Sequence, residues 1–268
     1  MRPKSIEVRF LLGLDAGSDS IYAYAPFMYD LSHFSLSDMT RCGVELRRLG
    51  AGASSMEEVA GRVVTLLHLR LSMPASDARA CPLVRTFVTL PFASLEPGQQ
   101  QFARRLLPGI DAHPQMKCLT LLATAGDEPQ WNARQRSAGH QALPLPSEES
   151  IGRSPMIAQL IRQLGVQVGA LLDPGSGLVL DESQHTFNVF HVPEASGSPY
   201  IPAQTDFVEP YEIRSVLGFG GLLPPGELFA TILFARTIVP REVAERFRTM
   251  ALNVKVALLP FSGVKVFS

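Results

Sequence analysis

The pattern of apolar positions is clearest over residues 186–260, and the rest of the chain is read around it. Residues 186–192 alternate apolar and polar, as a strand does. Two further apolar, β-rich runs, 211–223 and 227–236, flank Pro224-Pro225-Gly226. Pro at the second turn position and Gly at the third suit a type II turn, so the two runs should pair antiparallel. After Pro240 the period changes. Val243, Phe247, Met250, Val254 and Ala257 or Leu258 recur at spacings of three and four, which is one face of a helix, and Pro260 stops it.

Upstream, Ser37 opens a helix whose face is Met39, Cys42 or Gly43, Leu46 and Leu49, with Gly50 as its left-handed cap. Ser55 and Glu58 form a capping box for a second helix that runs to about Leu71. Gly50-Ala-Gly between them resembles a phosphate-binding loop only superficially, because no strand enters it and no Lys-Ser/Thr follows. Residues 83–92 form a strand with Leu83, Arg85, Phe87 and Thr89 on one face and Val84, Thr86, Val88 and Leu90 on the other. Both faces are largely apolar, which places this strand centrally. A short helix at 99–107 ends at Pro108-Gly109, and 117–125 is the next strand. Residues 126–138 turn polar and read as a long loop carrying Trp131, the chain's one tryptophan. Residues 140–146 fit a sheet edge, since their prolines cannot donate ladder hydrogen bonds. Ser154-Pro155 starts a helix with a side-chain cap and Pro at its first position, with Ile157, Leu160, Ile161 and Leu164 as its buried face. Residues 166–172 fit a strand or a helix equally.

Composition narrows the class. A formal charge of −1 supplies no general attraction to nucleic acid or an anionic membrane, so neither is expected as a partner. Cys42, Cys81 and Cys118 are odd in number and widely spaced, which argues against a disulfide framework or structural zinc and for a reducing compartment. The N-terminal apolar run is broken by Glu7, Arg9 and Asp15, unlike a signal peptide. No run reaches the roughly 20 apolar residues of a membrane helix. A cytoplasmic chain without membrane insertion follows as the expectation. Nucleophile-elbow, HExxH and Walker patterns are missing, and His185 and His191 are spaced poorly for zinc, so no enzyme activity is assigned.

Residues 190–201, residues 207–219, and the hairpin and helix that follow resemble the second half of a GAF domain, the sensor module of bacterial histidine kinases and cyclases. The resemblance thins over residues 37–180. It implies an α+β, GAF/PAS-like fold, with a central antiparallel sheet of about five or six strands flanked by helices. One domain would span 37–260, between an irregular leader at 1–36 and a tail at 261–268. The leader fits an extra edge strand, a swapped arm or an unordered segment. The resemblance also implies a small ligand held between the sheet and the crossover at 193–212, where His185, His191, Tyr200, Tyr211, Glu212 and Arg214 are the available polar or aromatic groups. Arg214 would clamp a carboxylate or phosphate, or else pair with Glu209 or Glu212. Ligand and cofactor stay undefined at this point. The implied partners are a second copy of the chain and a histidine kinase or other signalling output protein, reached through the terminal helices. The first helix would pack on its twin across the dimer or on its own sheet. The chain is expected to carry no output domain of its own and to act through a partner, or else to be a piece of a longer protein. Two other functions stay open: a non-sensing dimerisation scaffold with a filled pocket, and a redox enzyme using Cys118 or Cys81.

Overall fold

Apolar side chains on both sides of residues 83–91 require a cover on each face, and the molecule is layered accordingly. The computed structural model describes residues 27–76, 78–172, 189–224 and 226–268. In chain order its elements are β1 (Tyr29–Asp30), α1 (Leu36–Arg48), α2 (Met56–Arg70), β2 (Leu71–Ser72), β3 (Leu83–Pro91), α3 (Pro97–Arg105), β4 (Lys117–Gly126), β5 (Ala142–Pro144), α4 (Glu148–Gly152), α5 (Pro155–Gln163), α6 (Val168–Leu172), β6 (Val189–Val192), β7 (Ser215–Leu223), β8 (Glu227–Ala235) and α7 (Arg241–Leu258). Six strands form one sheet in the order β5-β4-β3-β8-β7-β6, and every neighbouring pair is antiparallel. The fold is therefore α+β, an antiparallel sheet flanked by helices. β3 takes the central place expected of it, between β4 and β8.

On one face, Val84, Val88, Phe219, Phe229 and Leu233 pack beneath α1, α2 and α7. On the other, Leu83, Phe87, Leu121, Ile232 and Phe234 pack beneath α4, α5, α6 and the crossover. Each fully buried Leu, Val or Phe contributes about 1.5–3 kcal/mol through the water it sheds. Register between β3 and β4 slips after Thr86, which faces Ala123 while Phe87 faces Leu121. The extra residue, Leu122, is a β-bulge and inverts the parity of β4: Leu119 and Leu121 join one face, Ala123 and Ala125 the other.

The β7–β8 hairpin forms as expected, but its turn closes one residue early. The Gly226 N–H donates to the Leu223 carbonyl at 2.6 Å, and Gly226 takes φ 109°, so glycine closes the turn at its fourth position and does not occupy its third. Gly50 is likewise not a left-handed cap. That conformation falls at Gly52, with φ 66°. A Cβ on Gly50 would lie 2.6 Å from the Ala257 carbonyl oxygen, so glycine there permits α1 and α7 to approach. The two helices run parallel: Arg246 donates to the Phe34 carbonyl, Arg47 to Asn253 at 3.0 Å, and Gly50 meets Ala257. α1 thus packs on α7 of its own chain.

Three helix starts refine the expected chemistry. α1 begins on a complete capping box of Ser35 and Asp38. For α2, Ser55 accepts from the Glu58 N–H at 3.1 Å, but the Glu58 carboxylate turns to Ser54. Ser154 makes no side-chain cap bond, although Pro155 does open α5. Residues 168–172, ambiguous in sequence, are helical.

Both chain segments outside the expected domain limits contribute to packing. Tyr29, Leu31 and Phe34 are buried, and β1 pairs in parallel with β2. Beyond α7 the chain turns back, and the Lys265 and Val266 carbonyls accept the Met56 and Glu57 N–H groups at 3.0 and 2.8 Å. Those donors have no partner inside α2, so the tail completes the helix start. Residues 1–26 lie outside the described residues.

Candidate functional site

Beyond β6 the chain crosses over through residues 193–214 to reach β7, and one glutamine shapes the crossing. Gln204 Nε2 donates to the Ala195 and Ile201 carbonyls at 3.0 and 2.6 Å, while its Oε1 accepts from the Gly197 N–H at 2.9 Å. Residues 204–208 continue as a single π-type turn, closed by Val208 N–H to the Ala203 carbonyl at 3.0 Å. Between this loop, β6 and α5 lies an open groove of about 300 Å³, lined among others by Gln159, Gln163, His191, Glu194, Ser198 and Tyr200.

His191 is held in one tautomer. Its Nε2 lies 2.9 Å from the Val239 carbonyl, which only accepts, so Nε2 carries the hydrogen and Nδ1 is left as an acceptor. Burial depresses its pKa, the Val239 carbonyl opposes that, and Arg241 adds to the depression. The ring is neutral at pH 7. Gln163 Oε1 accepts the His191 backbone N–H at 2.8 Å, covering a donor on the open edge of the sheet.

Of the residues expected to converge, the groove therefore gathers His191 and Tyr200. Tyr211 belongs to a separate aromatic group, with its ring 4.5 Å from Trp131 and 5.7 Å from Phe207, which in turn meets Phe234 edge-on at 4.9 Å. The loop at 126–138 is polar in composition, yet its tryptophan docks on the crossover. Glu212 is exposed and adopts φ 56°, a left-handed turn that directs the chain into β7. Arg214 is exposed and forms no ion pair with Glu209 or Glu212. Its backbone works instead, donating to the Ala235 carbonyl and accepting from the Ala195 N–H. His185 lies outside the described residues.

Arg85 is not among the expected site residues. It sits mid-strand in β3 on the crossover face, directly opposite Thr124 of β4 and Ile232 of β8. Its Nε is buried without a hydrogen-bond partner, as is the Thr124 hydroxyl. Burial alone lowers the Arg85 pKa to about 10. His140, an exposed residue, lies within electrostatic reach of it. One sequence signal did point there: a lone cation within a strand that is apolar on both faces.

All three cysteines are buried, and burial drives their thiols upward, Cys118 to about 12, so none presents a thiolate at neutral pH. Among the described residues, no three His, Cys, Asp or Glu side chains come together as a metal site, and no helix is long and apolar enough to cross a membrane. No family model matches the chain, and no curated protein is significantly similar to it.

Proposed function

We propose that this chain is a GAF-type sensory or regulatory module of the cytoplasm that binds a small molecule and signals through its terminal helices to a partner. The observation that carries this reading is the groove of about 300 Å³ beneath the crossover, with His191 and Tyr200 in its wall and Gln204 fixing its loop. Two glutamine amides and a phenol form a lining suited to an uncharged or hydrogen-bonding ligand. α1 and α7, packed in parallel, supply a connected pair of helices for output. Leu252 and Val256 of α7 and Leu259 just past its end are exposed apolar residues at 43%, 39% and 38%, and Val44 of α1 is exposed at 44%. That surface suits a second copy or a signalling protein such as a histidine kinase. Because the tail returns to α2, transmission along the flank of the helix pair fits better than extension of α7.

A scaffold without a ligand is the second reading, favoured by the Trp131, Phe207, Tyr211 and Phe234 rings that fill space between sheet and crossover. Native mass spectrometry of protein purified from its host separates the two. The sensor reading expects a dimer with a reproducible small-molecule adduct, lost in Gln204→Ala, and dissociation to monomer in Leu252→Glu. A ligand-free wild type that also shows no thermal shift across a metabolite library would leave only the scaffold.

A further inference from the structure

The chain demonstrates how it accommodates a buried arginine when it has acids available. Arg134, 7% exposed, is ion-paired to Glu57 at 2.5 Å and to Glu96 at 2.8 Å, and it stacks on Phe267 at 4.9 Å. Arg85 has none of this. No described residue forms a hydrogen bond or ion pair with its guanidinium, and its Nε is shut away from water. The carboxylate nearest in sequence on the neighbouring strand's end, Asp127, is committed to Arg236 at 2.8 Å and lies within 3.6 and 3.7 Å of Arg79 and His68.

An arginine stays charged in a protein, and a charged N–H held away from water without an acceptor works against the folded state. Beside it, the Thr124 hydroxyl is equally idle at 9% exposure. Cross-strand neighbours hold their Cβ atoms about 5 Å apart, so the two side chains rise from adjacent points on the same face. Two adjacent donors, one of them cationic, match two oxygens of an oxyanion. Arg85 as a residue keeps partial exposure, so the position is not sealed from solvent.

We infer that Arg85 and Thr124 form a recognition site for an oxyanion, the carboxylate or phosphate of a small molecule, on the crossover face of the sheet. The site stands three strands from the groove at β6, about 14 Å at ordinary strand spacing, and does not depend on that groove being occupied. It is a second binding position on the same face.

Trp131 lies over Gly126, two residues beyond Thr124 on β4, and a Cβ on that glycine would meet the indole at 2.8 Å. As the chain's one tryptophan, it is a built-in reporter. The wild-type protein is titrated with inorganic phosphate and, separately, with malonate, at ionic strength held constant with chloride. Melting temperature and Trp131 emission are read together. The expected result is a melting temperature that climbs with the logarithm of anion concentration and a saturable change in emission. Response to phosphate alone assigns a phosphoryl group, and response to malonate alone assigns a carboxylate. Arg85→Met should melt above the wild type in chloride and bind the anion at least about tenfold more weakly. Arg85→Lys, which keeps the charge and loses the planar fork, should fall between them. A wild type indifferent to both anions overturns the inference, as does an Arg85→Met protein that responds like the wild type. Since the groove is tested by adduct formation in Gln204→Ala, either site can fail without the other.

Discussion

The two faces of the sheet are covered in different ways. Between the sheet and α1, α2 and α7, residues such as Phe229, Leu233 and Phe247 of α7 are fully buried, and long helices supply their own backbone hydrogen bonds. The opposite face is covered by short helices, a crossover loop and a docked tryptophan, and it holds both the open groove and the unpartnered Arg85 and Thr124. A helix can seal an apolar layer without leaving polar groups behind it. Loops present carbonyls, amides and side chains at irregular intervals, so a face covered by loops retains donors and acceptors that a ligand can use. The function proposed above places stability and binding on opposite sides of one sheet.

If that division holds, the largest stability loss should come from the helical face. Phe247 is fully buried and touches Phe34 at 4.9 Å and Phe219 at 5.7 Å between ring centroids. Phe247→Ala should cost about 3–5 kcal/mol in urea denaturation while leaving the response to phosphate unchanged. A variant that folds at near wild-type stability would show that α7 is held elsewhere.

Gly50→Ala comes next. The new methyl would meet the Ala257 carbonyl oxygen at 2.6 Å, and backbone can yield only by moving α1 away from α7, at a cost of about 1–3 kcal/mol. Because the clash lies on the helix pair proposed to carry output, dimer dissociation measured alongside stability would sharpen the reading. On the other face, Phe207→Ala should cost less, about 1–2 kcal/mol, since Phe207 is only partly buried and its loss is mainly of ring contacts with Trp131, Tyr211 and Phe234. Its signature is a shift in Trp131 emission. If Phe207→Ala proved as damaging as Phe247→Ala, the contrast between the faces would collapse.

Much of the helical face was legible in the sequence because its signals are local. The 3.6-residue period from Val243 to Leu258 and the alternation in residues 83–91 each need only a few neighbouring positions. The crossover face depends on distant pairings. Leu122 becomes a bulge only because β3 lies beside it, and Gln204 becomes a loop clamp only once residues 195–201 curl around it. Arg85 could be placed on its face from parity alone. That no described acid meets it is a property of the whole fold, and alternation carries no trace of it. Tyr211 and Arg214 fit the expected site by position along the chain, yet a left-handed Glu212 between them sends one to the aromatic group and the other to solvent.

Glu227 tests the comparison at its boundary, with the smallest effect. It pairs with Leu223 at the hairpin end, on the helical face but past the cover of α7, and it is 7% exposed with one carboxylate oxygen buried and unpartnered. Burial raises its pKa, and Lys117 and Ser262 only partly offset that. A carboxyl group whose folded pKa lies above its unfolded value binds more protons folded than unfolded. Its contribution is therefore fully present below about pH 4.5, the unfolded value, and is lost as pH rises through the folded pKa. Glu227→Gln removes that ionisation. The variant should match the wild type at pH 4 and exceed it by about 1 kcal/mol at pH 8, the cost of holding one buried acceptor unsatisfied. Equal stability at both pH values would mean that water reaches the carboxylate, and the helical face would then end before the hairpin does.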